Sequence, residues 1–238
     1  MKIITKANLF YIQCKSILLN DIKLEASYLF RFIYSIAFIF FQLIIFFYLV
    51  KFLNYSDQNG TSNIKDFFLF LIIGICFLDI SYYMASNLSL KLEEYKRIGV
   101  LEELFLLPIK PIFLFSMLNL YPIIFSLFKL FVYIFFSSFL FDFSIIENIR
   151  YFQILLILFL SFLIFIGLSF ISAAFSLAFY RGAWIYNIHN TLTILFGGVL
   201  YPASFINEAF TFFKYILPLS SIIESFRYSI GAITLDNY

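Results

Sequence analysis

Charge is scarce in this sequence. Only 16 Lys and Arg and 14 Asp and Glu occur in 238 residues, about half the share found in soluble domains. With 63% hydrophobic residues, the chain has too little polar surface to cover a water-exposed globule. A bilayer is its natural solvent, and a polytopic all-α membrane protein is the expected class. The net charge of +2 excludes a nucleic-acid surface. Histidine occurs once, as His189, so no His cluster can hold a metal; this residue reads as interfacial or packed near a helix start. Cys14 lies in a basic stretch and Cys76 in an apolar run, which argues against a disulfide. None of the eight glycines precedes a lysine, which excludes a phosphate-cradling P-loop. No Ser, His and carboxylate set forms a readable triad, so the chain is not expected to act as an enzyme by itself.

What is abundant is aromatic and aliphatic. The 37 Phe and 17 Tyr read either as a substrate-binding lining or as the product of AT-rich codons. A span needs about 20 mainly apolar residues, and five segments qualify: 30–53, 67–90, 112–141, 151–180 and, shortest, 183–201. Residues 1–29 lack a continuous apolar core and spread Lys2, Lys6, Lys15 and Lys23 along their length. Their apolar residues recur near helical spacing, which predicts a helix lying in the membrane interface, with a frayed terminus as the alternative. Basic residues gather before the first span and between the second and third, as Lys91, Lys96, Arg97 and Lys110. The positive-inside rule then puts the N-terminus and the 91–111 loop in the cytoplasm of a cell-membrane protein.

Two charges fall inside spans, Asp79 and Lys129. Measured from apolar-run ends at about 1.5 Å per residue, they stand roughly 9 Å apart in depth. This argues against a direct pair and predicts that Lys129 snorkels to the outer headgroups. Asp79 is left as an intramembrane acid, either held by a structural hydrogen bond or lining a substrate path. Asp79, Asn87, Asn119 and Lys129 are too sparse and too spread in depth to make a membrane-embedded active site.

Residues 91–111 read as a short amphipathic helix, broken near Gly99 and stopped by Pro108 and Pro111. Leu101, Leu104, Phe105 and Leu107 form one side, with Glu102 and Glu103 towards another. Such an element either transmits force or merely turns the chain around. The stretch RIGVLEELFLLPI, 97–109, resembles the cytoplasmic signature of ABC-2 type transporter permeases, a pattern of the form xxGxLExLLxxPI. The family's glycine falls on Gly99, its Leu-Glu pair on Leu101 and Glu102, and its Pro-Ile on Pro108 and Ile109. FGGVLYP at 196–202, YILPL at 215–219 and IIESFR at 222–227 resemble the family's motifs at the outer end of the fifth span and before the sixth.

The resemblance covers most of the chain, 1–238 as one transmembrane domain, and implies the permease subunit of an ABC exporter. Two permease chains, as a homodimer or heterodimer, form the path in the membrane lipid. Separate nucleotide-binding ATPase subunits carry the ATP and Mg. Gly99, Leu101, Glu102, Glu103, Leu104 and Pro108 belong to the coupling helix that the ATPase receives. Gly197, Gly198 and Pro202 end a short fifth span, and 203–218 re-enter the membrane as a helical hairpin. Pro218, Glu224 and Arg227 complete this outer gate. The family's sixth span has no counterpart, because residues 228–238 are too few to cross. The expectation is a truncated or split gene with an extracytoplasmic C-terminus. The polysaccharide exporters' RxxLGxLW-like stretch is absent from 26–36, and the sole tryptophan is Trp184. This leans towards a drug, peptide or lipid-like cargo. The alternative is a non-transporting or truncated membrane scaffold or sensor derived from a permease.

Overall fold

The computed structural model describes residues 29–56, 64–106, 110–140, 150–179, 183–201 and 211–230. The interfacial helix expected in 1–29 falls, up to residue 28, outside the described residues. So do Pro108, Pro202, residues 203–210 of the expected re-entrant region, and 231–238.

All regular structure among the described residues is helical. In chain order the helices are α1 (Leu29–Ser56), α2 (Ile64–Arg97), α3 (Val100–Leu106), α4 (Pro111–Leu118), α5 (Leu120–Leu140), α6 (Tyr151–Phe179), α7 (Ala183–Phe196), α8 (Thr211–Ile216) and α9 (Pro218–Ile230). Four stretches are long and apolar enough to cross a membrane: Phe32–Leu53, Phe67–Arg97, Pro111–Leu140 and Tyr151–Phe179. The chain thus has the build of a helical membrane protein. The expected fifth span, 183–201, is not one of these four among the described residues. α7 has 14 residues, about 21 Å of helix against a hydrocarbon core of about 30 Å.

α2 is the hub. It packs against α1, α5, α6, α7 and α9 and is the most enclosed of the four long helices. Its most extensive partner is α6, and small residues explain the close approach. Ser161, Ser169, Ser172, Ala173 and Ser176 are buried along one side of α6, with Ser81, Ala85 and Ser89 buried on α2. Between apolar helices in lipid, close packing rather than water exclusion drives association, and small side chains permit it. Ser169 is fully buried, and its hydroxyl donates to Ile166 O of its own helix at 2.8 Å. Its size therefore matters more than its polarity. Ser169→Leu is expected to lower unfolding stability by about 1–3 kcal/mol through overpacking, and Ser169→Ala to change it by less than about 0.5 kcal/mol. Thermal unfolding of the purified chain in nanodiscs measures both.

The third crossing is broken. Pro122 has no N–H to offer Leu118 O, the usual helical acceptor four residues back. The chain steps out of helix at Asn119, between α4 and α5. There the Asn119 backbone N–H and side-chain amide both donate to Phe115 O, at 3.1 and 3.2 Å.

Candidate functional site

Polar groups at three levels of α2 meet neighbouring helices. The first meeting lies inside the bundle. Lys129 Nζ on α5 donates to both Asp79 carboxylate oxygens, at 3.2 and 3.0 Å, with side chains 8% and 16% exposed respectively. The expectation that depth separates these residues, and that Lys129 snorkels outward, is overturned. The reason is geometric. The apolar run ends near residue 90, but the helix continues through the charged segment to Arg97. Counted from Arg97 and from Pro111, Asp79 and Lys129 each stand about 18 residues, roughly 27 Å, from the same end of the bundle. Equal depth makes the pair. The Lys129 ammonium also lies 4.7 Å from the centre of the Tyr83 ring and 5.9 Å from that of Phe125, close enough for cation–π attraction. The Tyr133 hydroxyl donates to Gln42 Oε1 of α1 at 3.0 Å. Asp79 Oδ2, at 3.4 Å, is a secondary acceptor for that single proton. The set therefore ties α1, α2 and α5 together. Asn119 bonds to its own helix instead, so the four polar residues of the sequence reading do not converge.

The second meeting is at the end of the bundle away from α3. Arg227 of α9 is buried. Its Nη1 donates to Gly198 O at 2.8 Å, and its Nη2 donates to Phe70 O at 2.8 Å and to Val199 O at 2.9 Å. Its guanidinium carbon stands 3.4 Å from the Phe70 ring centre. Gly198 and Val199 follow the last turn of α7, where unsatisfied carbonyls carry partial negative charge and favour a cation. Phe70 O is reachable because the residue one turn on is Gly74. A Cβ there would stand 2.5 Å from Val199 O and 2.8 Å from Arg227 Nη2. Gly197 N–H closes onto Thr193 O at 2.8 Å, and Gly198 turns the chain with φ 65°. α9 begins at Pro218, a good first helical residue because its missing N–H is not needed there. Glu224 is half-buried, and the Phe226 and Phe77 rings meet edge-on at 4.8 Å. Thus Gly198 and Arg227, from separate sequence blocks, are brought into contact, and α9 lies against α2 and α6.

The third meeting is at the α3 end. α2 stops at Arg97, and Gly99 takes φ 79°, a left-handed conformation that costs other L-residues. The chain turns there into the seven-residue α3. Leu101 is buried in a cluster with Leu88, Leu92, Leu114, Leu118 and Ala173, with Leu104 partly buried against it. Glu102 and Glu103 are exposed, as are Ile98, Phe105 and Leu106. Behind this elbow α2 is fastened to α6. Ser176 donates to Glu93 Oε1 at 2.8 Å, Ser89 to Ser176 Oγ at 3.0 Å, and Lys96 Nζ to Leu177 O at 3.1 Å.

His189 stacks on Tyr186 with ring centres 5.6 Å apart, and Tyr186 pairs with Ser81 at 2.9 Å. Sequence reasoning missed Gln42, Tyr133, Gly74 and Glu93. A lone Gln in an apolar span was the available signal for Gln42, and Tyr133 lies one helical turn beyond Lys129. No protein-family model matches the chain, and no curated protein matches it as a relative.

Proposed function

We propose that this chain is the permease subunit of an ABC exporter, driven through α3 by a separate nucleotide-binding ATPase that carries the ATP and Mg. It works as a dimer of permease chains, with the α3 end and the N-terminus cytoplasmic. The observation that carries this reading is the elbow at Gly99. A short helix is anchored by Leu101 and presents Glu102, Glu103, Phe105 and Leu106 outward. It stands directly on a 34-residue helix that runs unbroken from Ile64 to Arg97. Force applied to α3 is delivered to the one helix that touches most of the others. Because Ser89, Glu93 and Lys96 fasten α2 to α6, the two helices tilt together. The motion then reaches α5 through Asp79, and α7 and α9 through the Arg227 clamp.

The resemblance of residues 97–109 and of 196–227 to ABC-2 permeases supports the same reading. In it, α7 is a short fifth span, and the segment from Gly197 to α9 is the re-entrant outer gate formed with Pro202, Pro218, Glu224 and Arg227. Irregular backbone inside a membrane is tolerated where protein buries it, and Gly197, Gly198 and Val199 are buried.

Reversing the outward charges with Glu102→Lys and Glu103→Lys is expected to weaken co-purification of the ATPase at least about tenfold. Membrane insertion should be unchanged, because both side chains are exposed. Unchanged ATPase binding by the double variant contradicts the coupling role.

A further inference from the structure

We propose that Asp79, framed by the Tyr83 and Phe125 rings, is the binding site for the cationic head of a lipophilic substrate, with Lys129 as the resident cation that the substrate displaces. This inference rests on the exporter reading and names the class of its cargo.

The chemistry of the site favours a positive ligand. The charge that stays fixed is the carboxylate, because Asp79 is short while Lys129 has a long flexible stem. Both rings beside the ammonium present their negative faces to it, and those faces attract any desolvated ammonium or phosphonium. An anion entering to meet Lys129 would instead find a carboxylate already 3.0 Å from Nζ and the negative faces of two rings.

The resident lysine also has a physical reason to be there. An acid waiting inside a membrane for a transient cation is costly when unpaired. A lysine within reach keeps it compensated between substrates and withdraws when one arrives. A lock of purely structural purpose leaves one feature unexplained: Ser126 Oγ, one turn before Lys129, is fully buried and finds no hydrogen-bond partner. It is a polar group one turn from Lys129 on the same helix that no hydrogen bond uses.

The site also has an apolar approach. Phe125 meets Phe32 of α1 at 5.9 Å and Phe128 at 6.1 Å between ring centres. Phe32 and Phe128 stack at 5.5 Å and are 40% and 38% exposed. This row of rings runs from the outer surface between α1 and α5 inward to the ion pair. A hydrophobic body can lie along it while its charged head reaches Asp79.

The test uses the purified full chain in lipid nanodiscs and two probes of one shape and opposite charge, tetraphenylphosphonium and tetraphenylborate. Saturable tetraphenylphosphonium binding above empty nanodiscs is expected, with at least about tenfold preference over tetraphenylborate. Lys129→Met removes the internal competitor and is expected to tighten cation binding about tenfold or more. Phe125→Leu should weaken it several-fold. The near-isosteric uncharged double variant Asp79→Asn/Lys129→Met should lose the preference, and it keeps the test valid if Lys129→Met alone does not fold. Equal binding of the two probes by the wild type, no saturable cation binding, or an unchanged preference in the double variant overturns the proposal. The assay needs no ATPase, so the two readings fail separately. Cation binding by a chain with no ATPase partner sinks the exporter and leaves the site standing. An ATPase partner without cation binding does the reverse.

Discussion

Lys129→Met is expected to destabilise the chain by about 3–5 kcal/mol, and Asp79→Asn/Lys129→Met to recover most of that loss. The single change leaves the Asp79 carboxylate in the bundle without its cation. The double change removes both charges while keeping side chains of similar shape. The Tyr133 bond to Gln42, at 3.0 Å, survives either change and still ties α1 to α5. Reversible unfolding of the four chains of this double-mutant cycle gives the coupling directly. Additive effects of the two single changes would mean that the pair seen at 3.0 Å contributes no interaction of its own.

The second large effect is expected at the Arg227 clamp. Arg227→Met leaves the carbonyls of Phe70, Gly198 and Val199 without the three hydrogen bonds they now accept. Hydrogen bonds to charged groups contribute about 1.5–3 kcal/mol each, so a loss of at least about 3 kcal/mol follows even with partial relaxation. Arg227→Lys should rescue little. The clamp uses two guanidinium nitrogens at once while the guanidinium carbon stands 3.4 Å from the Phe70 ring centre, an arrangement that a compact ammonium cannot reproduce. Gly74→Val tests the same clamp from the other side, because even a Cβ overlaps Val199 O and the guanidinium. Combined with Arg227→Met it should cost much less than the sum, since the first change already displaces what the second removes. Full additivity would show that Gly74 and Arg227 serve separate contacts. Both variants should separate α9 and the end of α7 from α2, which increased proteolysis after Gly197 reports.

The four long helices were legible because apolar run length is a strong signal in a membrane protein. Helix ends were not. The apolar run of the second span stops near residue 90, yet Lys91, Glu93, Glu94 and Lys96 continue the same helix, with Lys96 and Arg97 placed favourably in its last turn. Taking polarity for a helix end misplaced Asp79 by several residues and hid its pairing with Lys129. The break at Asn119 was readable from Pro122, and the turn at Gly99 from its position before LEEL. Gly74 could not be recognised locally. It is one small residue in an apolar helix, and its importance comes from Val199 and Arg227, more than a hundred residues further along. The meeting of Gly198 with Arg227 is likewise invisible to spacing, although the resemblance marks both residues.

The proposed transfer of work from an ATPase to α3 is open to direct measurement. The direct measurement is affinity purification of the tagged full chain from its native membranes, followed by photolabelling with an azido-ATP analogue and determination of subunit ratio. A labelled partner subunit in equal number with this chain, no label on the chain itself, and loss of the partner on Glu102→Lys/Glu103→Lys are expected. A chain that purifies without a nucleotide-binding partner, or that keeps its partner after the charges on α3 are reversed, contradicts it.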